Sequence, residues 1–310
     1  MKISVLIPLY NKKSTILRAV QSILDQTVMP LEVIIVNDGS TDGSENLIDK
    51  LSNPLIRLIH QRNQGVSAAR NRGIAESKGD WIALLDADDY WDKDYLETIT
   101  WLKEKYTKAD LIFTSYRYFD DFGITNPKHE FGEPDGIMER YFFHACHGSP
   151  PIWTGAVCIS KRALEHVGLF PVNVTLGEDL LTWARLALSF KIAYSLSIKS
   201  NYYFQTRVKS TTRFRLPERN DHVGNELKAL LSSVNDDITK RDLKKYISHW
   251  HKMRLHLFIQ HKKRREINRE YLKCIHFNLF NYKAHMLFIY SFFPESMKSI
   301  IMNKVTAAFK

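Results

Sequence analysis

The sequence predicts an α/β fold: a mostly parallel sheet with helices on both faces, plus a helical appendage at the C-terminus. Three observations lead there. Short apolar runs alternate with segments of helical periodicity through the first part of the chain. Runs such as Ile82-Ala83-Leu84-Leu85 are apolar throughout, as strands covered on both faces are. Beyond residue 215 the alternation gives way to helical spacing in a basic, aromatic-rich segment, so the expected domains are 1–215 and 216–310.

Each element follows from its residues. Ile3–Pro8 is a short apolar run and reads as the first strand, after which Ser14 caps a helix whose Ile16, Leu17, Val20, Ile23 and Leu24 share a face. Leu31–Val36, β-branched and apolar, is the second strand; after the Asn37–Gly43 turn, Leu47, Ile48 and Leu51 mark the second helix. Ile56–His60 is a third strand, Val66–Ser77 a third helix closed by Gly79, and Trp81–Leu85 a fourth strand, with another helix starting near Asp92. Lys108–Gly177 carries no clear period, whereas Leu180, Leu181, Trp183, Ala184, Leu186 and Ala187 read as a buried helix. In the appendage Leu243, Tyr246, Ile247, Trp250 and Leu257 recur at helical spacing.

Composition narrows the function classes. A chain of 310 residues, 44% hydrophobic and 25% charged, has material for a full core. Its net charge of +10 sits wholly in the last third, where residues 213–310 hold 20 Lys/Arg against 9 Asp/Glu. That imbalance points to an acidic surface or ligand for the C-terminal part. The apolar stretch after Lys2 is too short for a signal peptide and no run approaches a membrane span, so a cytoplasmic protein is expected. Three cysteines, Cys146, Cys158 and Cys274, argue against a disulfide framework, and His144, Cys146 and His147 are too crowded for a closed zinc site and read as a loop.

In parallel sheets ligands bind beyond the carboxyl ends of the strands. The loops there are Pro8-Leu9-Tyr10-Asn11, Asn37-Asp38-Gly39-Ser40 and Asp86-Ala87-Asp88-Asp89. Neither a G-x-G-x-x-G after the first strand nor a G-x-x-x-x-G-K-[ST] is present, which removes the main signatures of dinucleotide enzymes and P-loop NTPases. Period-two alternation past Leu85 puts Asp86 and Asp88 on one side of the backbone, where two carboxylates repel unless a hard cation such as Mg²⁺ joins them. Helix capping is the plainer reading of an Asp at this place, but it accounts for one aspartate of the three.

Taken in order, Val5–Asn11, Val36–Asp42, Asn63-Gln64-Gly65 with Ala68-Ala69-Arg70-Asn71, Leu85–Asp89 and Gly177-Glu178-Asp179 resemble the motif series of family 2 glycosyltransferases, inverting enzymes of the GT-A fold. The resemblance covers the first 210 residues or so and implies roles. Pro8 and Tyr10 line a base pocket, Asp38 accepts from the uracil ring of a UDP-sugar, and Arg70 lies near the nucleotide. Asp88 is the more direct ligand of Mn²⁺ or Mg²⁺, Asp86 contacts ribose or metal, and Asp89 stands behind them. Asp179 matches the base that deprotonates the acceptor hydroxyl, with Glu178 beside it. A helix N-terminus also favours acids for its own sake. Trp153 either stacks on a sugar ring or fills the core.

One departure is plain. The segment after the base helix, Tyr202 to Ser210, lacks the histidine that family members often carry there, leaving Arg207 and Lys209 as candidate diphosphate contacts. The resemblance implies a nucleotide-sugar donor and a saccharide or lipid-linked acceptor in surface polysaccharide synthesis. In the appendage, Lys262-Lys263-Arg264-Arg265 and the aromatics from Phe277 to Phe293 fit either a peripheral membrane surface at the inner face or a helical appendage that packs its own aromatics. Two other classes fit the residues less well. A nucleotidyltransferase wants a Gly-rich basic loop after the first strand, and a nucleic-acid binder leaves the acidic loops unexplained, so no nucleic acid is expected.

Overall fold

The computed structural model describes residues 1–120, 123–129, 131–204, 215–294 and 297. The chain divides into two compact units, Met1–Ser210 and Thr211–Lys310.

The first unit opens with β1 (Ile3–Leu9), α1 (Ile16–Leu24), β2 (Glu32–Asp38), α2 (Ser44–Asp49), β3 (Ile56–Gln61), α3 (Val66–Glu76) and β4 (Trp81–Leu84). There follow β5 (Tyr90–Trp91), α4 (Tyr95–Lys105), β6 (Ala109–Asp120), β7 (Gly123–Thr125), β8 (Asp135–Ile137) and α5 (Tyr141–Cys146). A 3-10 turn at Thr154–Ala156 leads into β9 (Val157–Ser160), α6 (Lys161–His166), α7 (Glu178–Ser189) and β10 (Lys191–Phe204).

These strands form one sheet in the order β3-β2-β1-β4-β9-β6-β10-β5, with β7 beside β6 and β8 beside β10. The strands β1, β2, β3, β4, β6 and β10 run one way, whereas β5, β7, β8 and β9 run against them. The sheet is therefore mostly parallel, as expected. β2 is buried at all seven positions, while β3 at the edge is only partly covered, which is why the middle of β2, Val33–Val36, is apolar without alternation.

Both faces of the sheet are covered. Val5, Ile7, Leu9, Val33, Ile35, Ala83 and Leu85 pack with Ile16, Ala19, Val20 and Ile23 of α1 and with Tyr95, Leu96, Ile99 and Leu102 of α4. The α1 residues fall at i, i+3, i+4 and i+7, one apolar stripe. On the other face α3 lies across β1 and β2. Its Gly73 makes the approach close enough that a Cβ there would stand 2.0 Å from Leu6 Cδ1.

Several boundaries differ from expectation. α1 starts after Thr15 and receives no side-chain cap, so Ser14 does not cap it. The helix expected near Asp92 begins at Tyr95, because Tyr90–Trp91 first pairs with Ser200 and Asn201 as a short strand. Asp86 and Asp88 precede that strand, so neither caps α4. The crowded His144-Cys146-His147 segment is the end of α5 and its cap, with His147 stacked on Phe143 at 4.2 Å, instead of a loop.

The second unit holds α8 (His222–Ser233), α9 (Asp237–Gln260), α10 (Arg264–Phe277) and α11 (Tyr282–Tyr290). Leu255, Phe258 and Ile259 of α9 form its core with Ile267 and Cys274 of α10 and Ala284 of α11. No helix among the described residues is long and apolar enough to cross a membrane.

Candidate active site

The parallel register carries the loops of interest to one edge. Leu9 pairs with Asn37 and Asp38 with Gln61, while Leu6 pairs with Leu84. The carboxyl ends of β1, β2, β3 and β4 are thereby aligned. The chain turns back to the other side of β1 between β3 and β4, so the switch point lies between the loops at Tyr10–Lys12 and Asp86–Asp89. An ion pair between Lys12 Nζ and Asp88 Oδ2 spans it. β9 runs antiparallel between β4 and β6, and this direction brings the residues just before it, Trp153 to Ala156, to the same edge.

Side chains stitch the loops together. Asn11 donates its N–H to Ser40 Oγ at 3.1 Å and accepts from the Thr41 N–H at 2.8 Å. Asp38, buried, accepts from Gln61 Nε2 at 2.8 Å, from the Gln64 N–H at 2.9 Å and from the Gly65 N–H at 2.9 Å. A carboxylate offers about four acceptor positions, so one is left for a further donor. Pro8 is half-buried and Tyr10 exposed, with its ring open to solvent beside this loop.

Arg70 is the junction of the site. From α3 its buried guanidinium donates to Asp86 Oδ1 at 3.0 Å and reaches Glu178 Oε1 at 3.5 Å, with Phe170 5.2 Å from its Cζ. Next to it Asn71 donates to the Phe170 carbonyl at 2.8 Å and accepts from the Phe170 N–H at 3.0 Å, pinning the chain that leads to α7. Arg70 thus joins three of the motifs, although Glu178 lies 108 residues away in sequence.

Gly177, in the left-handed region at φ 79°, precedes the first turn of α7, where Glu178 and Asp179 stand. The site encloses the Asp179 carboxyl although the residue keeps some exposed surface. Burial, reinforced by the Glu178 charge and opposed by Arg70, pushes it up to about 7. A carboxyl balanced there takes up and releases a proton near neutrality.

The Asp86–Asp89 turn concentrates charge. Asp89 donates its N–H to the Asp86 carbonyl at 3.0 Å, and Arg18 Nη2 donates to the Asp88 carbonyl at 2.7 Å. Asp89 is fully buried. Its Oδ2 accepts from Trp153 Nε1 at 3.3 Å, and its Oδ1 has no hydrogen-bond partner among the described residues. Burial first, then the charges of Asp88 and Asp86, hold this carboxyl well above the usual range. Gly155 makes room for it, since a Cβ there would meet Asp89 Oδ2 at 2.7 Å. Trp153 is half-buried among Tyr116, Tyr118 and Tyr202, with ring centroids 5.3, 6.0 and 4.5 Å away.

The structure therefore gathers Arg70, Asp86, Glu178 and Asp179 around one guanidinium, sets Asp88 on Lys12 and Asp89 on Trp153, and leaves Asp38 with the Pro8–Tyr10 loop on the β1–β3 side. Arg207 and Lys209 lie outside the described residues. Sequence reasoning missed Lys12 and Arg18, which touch Asp88. The signal for Lys12 was its place right after the first-strand loop. Tyr116, Tyr118 and Tyr202 around Trp153 were missed because their strands had not been recognised.

A second convergence lies in the C-terminal unit. Asp221, His251 and Glu270 bring ligand-type atoms within 4.8 Å of one another. Arg254 Nε lies 3.4 Å from Asp221 and 3.2 Å from Glu270, and Lys273 Nζ lies 3.7 Å from each. Two carboxylates already face two cations, so a metal ion would add uncompensated charge. This is an ion-pair hub among α8, α9 and α10. Burial disfavours the Glu270 carboxylate, yet the His251 hydrogen bond at 2.7 Å and the neighbouring charges bring it down to about 2. Its contribution to stability is present above the unfolded carboxyl value and lost as pH falls through about 2. Glu270→Gln is expected to destabilise the protein by about 3–5 kcal/mol at pH 7, and by less at pH 3, as measured by urea unfolding.

The sheet and its loops have the GT-A fold. S. aureus TarS 1–349, solved in complex with UDP-GlcNAc, superposes with a TM-score of 0.70 at 18% identity, over 89% of this chain and 81% of that one. Residues 4–168 match glycosyl transferase family 2, and the chain belongs to that family. An uncharacterized glycosyltransferase of Rickettsia bellii is 34% identical over 190 residues, 60% of this chain and 26% of the relative. The putative glycosyltransferase EpsH of Bacillus subtilis is 38% identical over 127 residues, 40% of this chain and 36% of its own. The chain spans between 26 and 30% of the Rickettsia relatives it matches.

Proposed function

We propose that this chain transfers a sugar, with inversion, from a UDP-sugar to a saccharide or glycolipid acceptor in surface polysaccharide synthesis. The observation that carries the reading is the Arg70 junction, which sets Asp86 on one side of a buried guanidinium and Glu178, next to Asp179, on the other. Donor and acceptor chemistry are thereby adjacent. The complex of TarS with UDP-GlcNAc on the same fold supports a nucleotide-sugar donor.

The acidic turn fits a divalent cation. Asp86, Asp88 and Asp89 crowd three carboxyl groups, hard oxygen donors, into one turn, with Lys12 on Asp88 and the Arg70 guanidinium shared between Asp86 and Glu178. Asp88 and Asp86 would hold Mn²⁺ or Mg²⁺, which neutralises charge on a departing diphosphate when bound. In the chain's own part of the mechanism, Asp38 uses its remaining acceptor position for the uracil N–H, while Pro8 and Tyr10 flank the base. Lys12 adds positive charge where the diphosphate departs. Asp179 takes the proton of the acceptor hydroxyl as that oxygen bonds to the anomeric carbon. The bond from that carbon to the diphosphate oxygen breaks, and its electron pair leaves with UDP. Trp153 offers the acceptor an aromatic face, its indole N–H fixed on Asp89. Arg207 and Lys209 remain candidate diphosphate contacts, and the enzyme works on the cytoplasmic side of a membrane, where a lipid-linked acceptor is presented.

Calorimetric titration with UDP, against GDP, dTDP and CMP, tests the donor class. UDP is expected to bind with Mn²⁺ and to lose at least about tenfold in affinity with EDTA or in Asp88→Ala. Equal binding by Asp88→Ala would remove Asp88 from the donor site.

A further inference from the structure

The helical hairpin of the second unit brings together two features that lie apart in sequence. Arg264 opens α10 in the basic run Lys262–Arg265, all four residues exposed. Its Cζ sits 3.6 Å from the centre of the Phe292 ring, and its Nη1 donates to Ser291 Oγ at 2.8 Å. The basic turn is therefore fixed against the end of α11.

α11 is apolar on two faces. Ala284, Leu287 and Phe288 face the core, with Phe288 stacked on Tyr271 at 3.9 Å. Tyr282, Met286 and Ile289, at i, i+4 and i+7, form a second stripe that faces outward and is exposed. Leu279 and Phe280 extend it at one end and Phe292 at the other, with Phe280 87% and Phe292 62% exposed. A surface helix ordinarily turns a polar face outward, so a stripe like this has an occupant.

Charge selects that occupant. Residues 271–294 contain no Asp or Glu, whereas Lys262, Lys263, Arg264, Arg265, Arg269 and Lys283 are exposed on or beside the stripe. A second copy paired through this same face would bring the same cations and no acid from residues 271–294. An anionic leaflet offers acyl chains to the stripe and headgroup phosphates to the basic turn. We infer that the outer face of α11, with the Lys262–Arg265 turn, is a docking surface for an anionic membrane. This deepens the proposed cytoplasmic-side setting by naming the surface and the lipid class. It stands on α9 to α11 alone, so vesicle binding and sugar transfer can fail separately.

The test places an environment-sensitive fluorophore at Ile289→Cys in a Cys146→Ser background of the full chain. Vesicles of phosphatidylglycerol and phosphatidylcholine, and of phosphatidylcholine alone, are then added. Expected is a blue shift on the anionic vesicles only, with affinity falling at least tenfold in high salt and in Lys262→Glu/Lys263→Glu/Arg265→Glu. Co-sedimentation of the unlabelled protein should be lost likewise in Met286→Asp/Ile289→Asp, whose positions are exposed and leave the core untouched. No shift on anionic vesicles overturns the inference. So does a probe already shielded without lipid, whether independently of concentration, which assigns the stripe to another part of the chain, or increasingly with concentration, which assigns it to a second copy.

Discussion

Asp179→Asn is expected to lower kcat by about a thousandfold while leaving UDP affinity within about threefold of the parent, as read by turnover and calorimetry on the same preparation. The split follows from position. Asp179 stands at the start of α7 beside Glu178, whereas the proposed contacts for base and ribose are Asp38 and Asp86 on other loops. Removing the carboxylate therefore removes a proton acceptor and not a donor contact. The pH profile gives a second readout. Burial and Glu178 raise the Asp179 carboxyl to about 7, and a base works only when ionised, so kcat/KM for the acceptor should rise with pH through that region and level off above it. An enzyme active at full rate at pH 5, or an Asn variant that keeps the parent rate, would take the base role from Asp179.

How far the sequence carried depends on which residues had their partners nearby. The stretch from Ile3 to Leu85 was readable because each βα unit buries its own stripe against the next. Ile16, Ala19, Val20 and Ile23 meet the strands on either side of them in the chain. β6, β9 and β10 were not readable as a set: β9 has four residues and enters the sheet antiparallel between strands from distant parts of the sequence, and β10 carries several register shifts. The two-residue β5 exists only because β10 supplies its partner. At the site, the acidic turn announced itself by charge alone, while the aromatic surround of Trp153 depended on those unread strands. Taken by itself Arg70 could be a solvated residue of its helix, and the resemblance placed it only near the nucleotide. Only the fold shows it buried between Asp86 and Glu178. The C-terminal aromatics posed a choice between packing and exposure, and the structure divides them within the unit: Phe288 goes inward and Phe280 and Phe292 outward.

The other large effect is expected from Arg70→Gln. Its guanidinium is almost completely buried, so removing it strands two acids in the site, Glu178 well covered and Asp86 more open to solvent. Breaking a buried pair costs about 3–5 kcal/mol, and the exposure of Asp86 puts this one toward the lower figure. The loss of kcat/KM should exceed a hundredfold, about 2.7 kcal/mol or more in the transition state. Stability and rate together do not separate a junction from a brace, but the acid limb does. Arg70 is the charge that opposes the upward push on Asp179, so its loss should move that limb above the parent's value near 7. Arg70→Lys keeps the charge without the fork that reaches two carboxylates, and should return the limb toward 7 while leaving the rate low. If the limb stays in place in both variants, the group that sets it is not beside Arg70, and the coupling of acceptor deprotonation to the acidic turn through one guanidinium is wrong.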